Sequence, residues 1–171
     1  MTPPFTLTPH DVQLLTRANA HAPKAGQPDP LLKALDDIAQ RAVGHRLFTA
    51  LRYDLEAGLA HRLYSSAPDV YPASGVKQIG AAPALRKMVE SGQPLLTPDA
   101  AAVRVNFLDA DAIFALQCES VLNIPVYGQG RLLGQINLLH AANTYTPAHV
   151  DFCAGLALIA APALITPRPP P

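Results

Sequence analysis

The chain has 171 residues, 49% apolar and 15% charged, with a formal net charge of zero and a pI near 7. That supports one domain with a real core and excludes a disordered chain. The lack of a basic stripe or Arg cluster argues against nucleic acid as a partner.

Residues 1–28 read as a leader and a helix. Met1 to Leu7 is Pro-containing and expected to be mobile. Thr8-Pro9-His10-Asp11 is a helix start: Thr caps, Pro fits the first turn, and Asp suits the positive helix end. That helix runs to about Ala20, and Ala22 to Gln27 is a linker. Asp29-Pro30 opens a second helix whose apolar stripe is Leu31, Leu32, Leu35, Ile38, Ala39 and Ala42, with Gly44 ending it.

Arg46 to Tyr53 and Leu59 to Ser66 alternate as two strands of a hairpin. Ala67 to Gly80 is rich in Pro, Gly and Ser, without a period. Ala82 to Ser91 is a helix closed by Gly92, Gln93 to Thr97 a short edge strand, and Asp109 to Leu116 a short helix. Thr146-Pro147 opens the last helix, which buries Val150, Cys153, Leu156, Ala157, Ala160 and Ala161. Pro162 is expected to break or kink it. The apolar run from Phe152 to Ile165 is short for a membrane span. Residues 166–171 form a Pro-rich tail, expected to be disordered.

The most informative stretch is SVLNIPVYGQGRLLGQINLLH, Ser120 to His140. Two apolar strands flank a Gly-rich turn, and each carries a central Asn, a residue depleted in strands. If Tyr127 pairs with Arg131, then Leu122, Ile124 and Val126 share one apolar face with Leu132, Gly134, Ile136 and Leu138. The other face carries Asn123 opposite Gln135, Asn137 one diagonal step away, and Leu133. An apolar surface with a few directional amides suits a small-molecule pocket; alternatively the amides satisfy each other or nearby backbone. The register also sets Cys118 opposite His140, a pair that could hold a thiolate, or else a small buried hydrophobe beside a strand-end polar residue. The six histidines show no metal-ligand spacing.

This order of elements resembles that of GAF domains. Three stretches carry the likeness over about Pro30 to Leu164: LFTALRYD with HRLYSS, the Ser120 to His140 hairpin with its Ile-Pro and central Gly, and TPAHVDFCAGLA. The resemblance implies an α+β fold: an antiparallel sheet of about five to six strands, with N- and C-terminal helices packed on one face. A helical and loop insert covers a pocket on the other face. It also implies binding of cyclic nucleotides, tetrapyrroles, small metabolites or nothing, and frequent dimerisation through terminal helices. Asn106, Phe107 and Asp109 fall near one another, but the Lys and Glu of the cyclic-nucleotide signature are misplaced. The Cys-His pair of bilin-binding members is absent, since Glu119 follows Cys118.

The resulting expectation is a GAF-like domain over 29–165, acting as a cytoplasmic sensory or regulatory module. Its ligand is a small molecule of unknown identity, and its output runs through a homodimer or a signalling partner, with neither nucleic acid nor membrane involved. The expected ligand-facing residues are Asn123, Gln135, Asn137, Tyr64, Ser66, Tyr71, Phe107, Phe114 and Cys118; Arg52 and Arg62 share strand parity with Tyr64 and Ser66. No catalytic or metal residue is assigned. The alternatives are a redox enzyme akin to free methionine sulfoxide reductase, using Cys118, and a ligand-free dimerisation module.

Overall fold

A computed structural model describes residues 8–26 and 28–165; the expectations for the leader and the Pro-rich tail fall outside them. The chain opens with α1 (Pro9–Asn19), where Thr8 and Asp11 form a reciprocal capping box. Then come α2 (Asp29–Ala42), β1 (Leu47–Asp54), β2 (Leu59–Ser65), β3 (Val76–Gln78), α3 (Pro83–Ser91) and β4 (Leu95–Thr97). The order closes with α4 (Ala100–Asn106), α5 (Ala110–Ala115), β5 (Ser120–Gly128), β6 (Arg131–His140) and α6 (Pro147–Ile165). The strands form one six-stranded sheet in the order β3-β2-β1-β6-β5-β4, with every pairing antiparallel.

Side chains alternate across each strand, so the sheet has two distinct faces. On one, Phe48, Ala50, Leu122, Ile124, Val126, Ile136 and Leu138 form a continuous core with Leu31, Leu32 and Leu35 of α2 and Leu156 and Ala160 of α6. The other face is covered by the segment between β2 and β5. Its apolar residues split into two smaller clusters, one around Leu47, Val103, Ile113, Cys118 and Leu139, the other around Leu51, Tyr53, Leu85 and Met88.

Several expectations need correction. The hairpin turn is Gln129-Gly130, both at positive φ, so Gly128 pairs with Arg131 rather than Tyr127. A register shift between Val126 and Tyr127 then makes Leu133 an extra residue on β6. Asn123 therefore lies directly opposite Asn137, Gln135 faces Pro125, and Ser120 rather than Cys118 faces His140. Leu132 packs with the Leu51 cluster and Leu133 with the helix-side core, the reverse of the expected sides. Gly134 beside this bulge permits a close approach: a Cβ there would meet the Leu51 carbonyl oxygen at 1.9 Å.

Ala67 to Gly80 contains β3, which pairs with β2; its three residues are too few to show a period. The helix α4, capped by Asp99, was not expected either. Pro162 does not break α6, which runs on to Ile165. Its missing N–H takes the usual intrahelical donor from the Leu158 carbonyl, and Leu158 is 74% exposed. At 19 residues α6 is long and apolar enough to cross a membrane by length and composition alone, but it packs one flank into the core.

Candidate functional site

Three strands place three polar side chains in one row on the covered face, and two more join them by hydrogen bonds. Asn137 of β6 sits between Asn123 of β5 and Thr49 of β1, its direct partners across the ladders. Its Nδ2 donates to Thr49 Oγ1 at 2.8 Å, and its Oδ1 accepts from Asn123 Nδ2 at 2.7 Å. The same oxygen accepts from Gln135 Nε2, and Gln135 Oε1 accepts from the Tyr53 hydroxyl. Burial holds the Tyr53 pKa well above the usual phenol value, so that hydroxyl keeps its proton. All these residues are at most 8% exposed. One end of the chain is open: Asn123 Oδ1 is buried without a hydrogen-bond partner.

A cavity of about 310 Å³ lies over this row, within the ~300–1,000 Å³ range of small-molecule sites. Leu51, Leu85, Ile113, Val121 and Leu139 supply much of its apolar wall. Both smaller clusters contribute to that wall, Ile113, Val121 and Leu139 from one and Leu51 and Leu85 from the other.

A charged group closes part of the rim. Asp109 Oδ2 accepts from Lys77 Nζ at 2.8 Å and from the Tyr71 hydroxyl, joining β3, the loop before it and the start of α5. Burial penalises the Asp109 carboxylate, but Lys77 and the two hydrogen bonds outweigh that and hold its pKa below the ordinary value. Arg62 of β2 stacks on Tyr71, its guanidinium carbon 3.8 Å from the ring centre. Its Nη1 donates to the Pro72 carbonyl, while its Nε is buried and unpartnered.

The structure sorts the expected site residues into two groups. Asn123, Gln135, Asn137, Tyr71 and Phe107 line the cavity. Tyr64 does not: a register shift between Ala50 and Leu51 makes Leu63 an extra residue on β2. That shift puts Arg62 opposite Leu51 on the cavity side and Tyr64 opposite Ala50, against the helix-side core. There the Tyr64 hydroxyl donates to Asp36 Oδ2 at 2.7 Å, whose other oxygen lies 2.9 Å from His45 Nε2. Arg52, strand parity with Arg62 notwithstanding, lines a separate groove beside Leu164 and Ile165. Ser66 caps the first hairpin, its Oγ accepting from Phe48 N at 2.9 Å. Phe114 packs into the Cys118 cluster beneath the Arg104 guanidinium, behind the cavity wall.

Cys118 sits in that same cluster and its Sγ donates to the Leu116 carbonyl at 3.5 Å. Burial pushes its pKa up to about 11, against the opposing influence of Arg46. His140 is engaged elsewhere, its Nδ1 accepting from Ala141 N at 2.7 Å. Cys118 and Cys153 are both free and buried, in different apolar clusters. A buried thiol held protonated is poorly set for nucleophilic or redox work. Sequence reasoning missed Thr49, Tyr53, Lys77 and Asp109. Thr49 had a signal, as a polar residue midway along an apolar strand; Lys77 and Asp109 meet only through the fold.

Comparison with known proteins agrees with this architecture. The GAF domain of a phosphoenolpyruvate-protein phosphotransferase from Coxiella burnetii superposes with a TM-score of 0.73 at 16% identity, covering 91% of this chain and 92% of that one. The corresponding domain from Acinetobacter gives 0.72 at 12% identity, covering 93% and 95%. Free methionine-R-sulfoxide reductase from Neisseria meningitidis, in complex with its substrate, gives 0.66 at 10% identity, covering 95% and 94%. At these identities the likeness is one of fold. No curated protein sequence matches the chain. The family model for the GAF domain matches residues 30–164, most of the sequence, and the chain belongs to the GAF domain family.

Proposed function

We propose that this protein is a sensory domain that binds a small, partly polar metabolite in the cavity over the Asn123, Gln135 and Asn137 row. The observation that carries this reading is the cavity itself: about 310 Å³, apolar for the most part, and floored by a buried amide chain. GAF domains generally bind small molecules in sensory roles, and the match over residues 30–164 brings that class of function to this chain. Binding would tie the floor, which belongs to the rigid sheet, to the rim formed by Tyr71, Lys77 and Asp109. Ordering the rim would alter the surface that a second copy or a signalling partner meets, and so couple occupancy to output.

The test is a thermal-shift screen against metabolites, cyclic nucleotides and tetrapyrroles, repeated with Asn137→Leu. A ligand that binds only the folded state must raise the melting temperature. The reading requires a reproducible shift that Asn137→Leu loses. If the protein melts cooperatively and nothing shifts it, it is a dimerisation module without a ligand.

A further inference from the structure

Two residues of the cavity wall each carry an unsatisfied buried atom, and the two atoms are of opposite hydrogen-bonding sense. Asn123 Oδ1 is an acceptor without a donor, and Arg62 Nε is a donor without an acceptor. Buried polar groups in folded proteins are nearly always paired, and an orphan of either kind is costly. Both residues line the same cavity.

Arg62 presents the sharper problem. It is only 8% exposed, and a guanidinium keeps its charge. Its contacts are one backbone carbonyl and the Tyr71 ring, neither of which carries a negative charge. Among the described residues it has no ion-pair partner, because Asp109, the acid in the cavity wall, is taken by Lys77. A buried charge without a counter-ion is strongly unfavourable. The chain also makes room to hold it: the Cβ missing from Gly75 would sit 2.6 Å from Arg62 Nη1.

We propose that the cavity takes a small organic monocarboxylic acid, its carboxylate on the Arg62 guanidinium and a hydroxyl or N–H of its body on the Asn123 amide. This rests on the reading of the cavity as a ligand site and narrows the ligand's chemistry. The guanidinium fork matches a planar carboxylate. One uncompensated cation in the wall balances one negative charge, whereas a phosphate dianion would remain half-neutralised. Leu51, Leu85, Ile113 and Val121 provide the apolar surface for the body of the acid.

The experiment uses short aliphatic and aromatic hydroxy- and amino-substituted monocarboxylic acids, each paired with its primary amide, together with inorganic phosphate. Melting temperature gives the first readout and calorimetric titration the second. At least one acid should bind, on the order of tenfold or more tighter than its amide. Arg62→Gln should erase that preference. Gly75→Ala, which displaces the guanidinium without straining the backbone, should weaken it and serves where Arg62→Gln does not fold. Asn123→Leu should weaken binding of the donor-bearing acids while leaving the acid-over-amide preference in place. Amides that bind as well as acids, phosphate that binds where acids do not, or a preference that survives in both Arg62→Gln and Gly75→Ala would overturn the proposal and leave the cavity a ligand site. Silence from these probes, with a shift from some neutral metabolite in the wider screen, overturns it as well. Silence from every compound removes the ligand-site reading along with it.

Discussion

On the helix side of the sheet, Leu122, Ile124, Ile136 and Leu138 are at most 1% exposed and belong to the main apolar core. On the other side, the residues interleaved with them are Asn123, Gln135 and Asn137, equally buried but joined by hydrogen bonds. Both faces come from the same two strands, yet the first gains its stability from area removed from water. The second keeps polar groups away from water and must satisfy each of them, and it fails to do so at Asn123 Oδ1. A face built only for stability would carry Val or Leu at these positions. On the proposed reading, this is stability given up for a binding site.

The contrast is broken most forcefully from the apolar side. Leu138→Ala empties a fully buried position in the main core and should cost about 2–5 kcal/mol, measured by urea unfolding. A loss below about 1 kcal/mol would mean that the helix face is not the principal source of stability. Gly134→Ala should cost about 3 kcal/mol, since its Cβ collides with the Leu51 backbone, which cannot step aside as a side-chain tip can.

The two faces were not equally legible in the sequence. The apolar alternation of Leu122, Ile124 and Val126 against Ile136 and Leu138 is a period-2 signal, and it survives a slip of two residues unchanged. Which amide faces which does not survive it. That pairing depends on the turn at Gln129-Gly130 and the extra Leu133, and a single inserted residue in a strand leaves no periodic mark. Leu63 has the same effect on β2: it moved Tyr64 to the helix side and left Arg62 at the cavity. Lys77 and Asp109 lie 32 residues apart, one in the segment without a period and the other at the start of a short helix, so nothing local in the chain announces their contact.

On the amide face, two isosteric changes should differ in a telling way. Asn137→Leu removes the group that accepts from Asn123 and Gln135 and donates to Thr49; it should cost about 2 kcal/mol and abolish binding. Asn123→Leu deletes one hydrogen bond but also removes the orphaned Oδ1, so its stability should stay within about 1 kcal/mol of the parent. Paired denaturation curves decide the matter. Equal losses for the two would mean that Asn123 is structural and that its free oxygen has no cost.

The smallest effect belongs to the rim, and it is one of pH. The Asp109 pKa lies below its ordinary value in the folded protein, so its contribution is fully present above about pH 4, the unfolded carboxylate value. The contribution is lost as pH falls through the lower folded value. Its side chain is 29% exposed, so solvent screens the pair and global stability should move little. The local consequence is larger, because Asp109 holds both Lys77 and Tyr71. Amide exchange across Tyr71 to Gln78, corrected for intrinsic rates, should lose protection at acid pH while the amides of β5 and β6 keep theirs. Asp109→Asn should show the unprotected pattern already at neutral pH, and its remaining protection should no longer respond to acid. If rim and sheet lose protection together on acidification, the rim is an extension of the sheet core rather than a separately ordered part of the site.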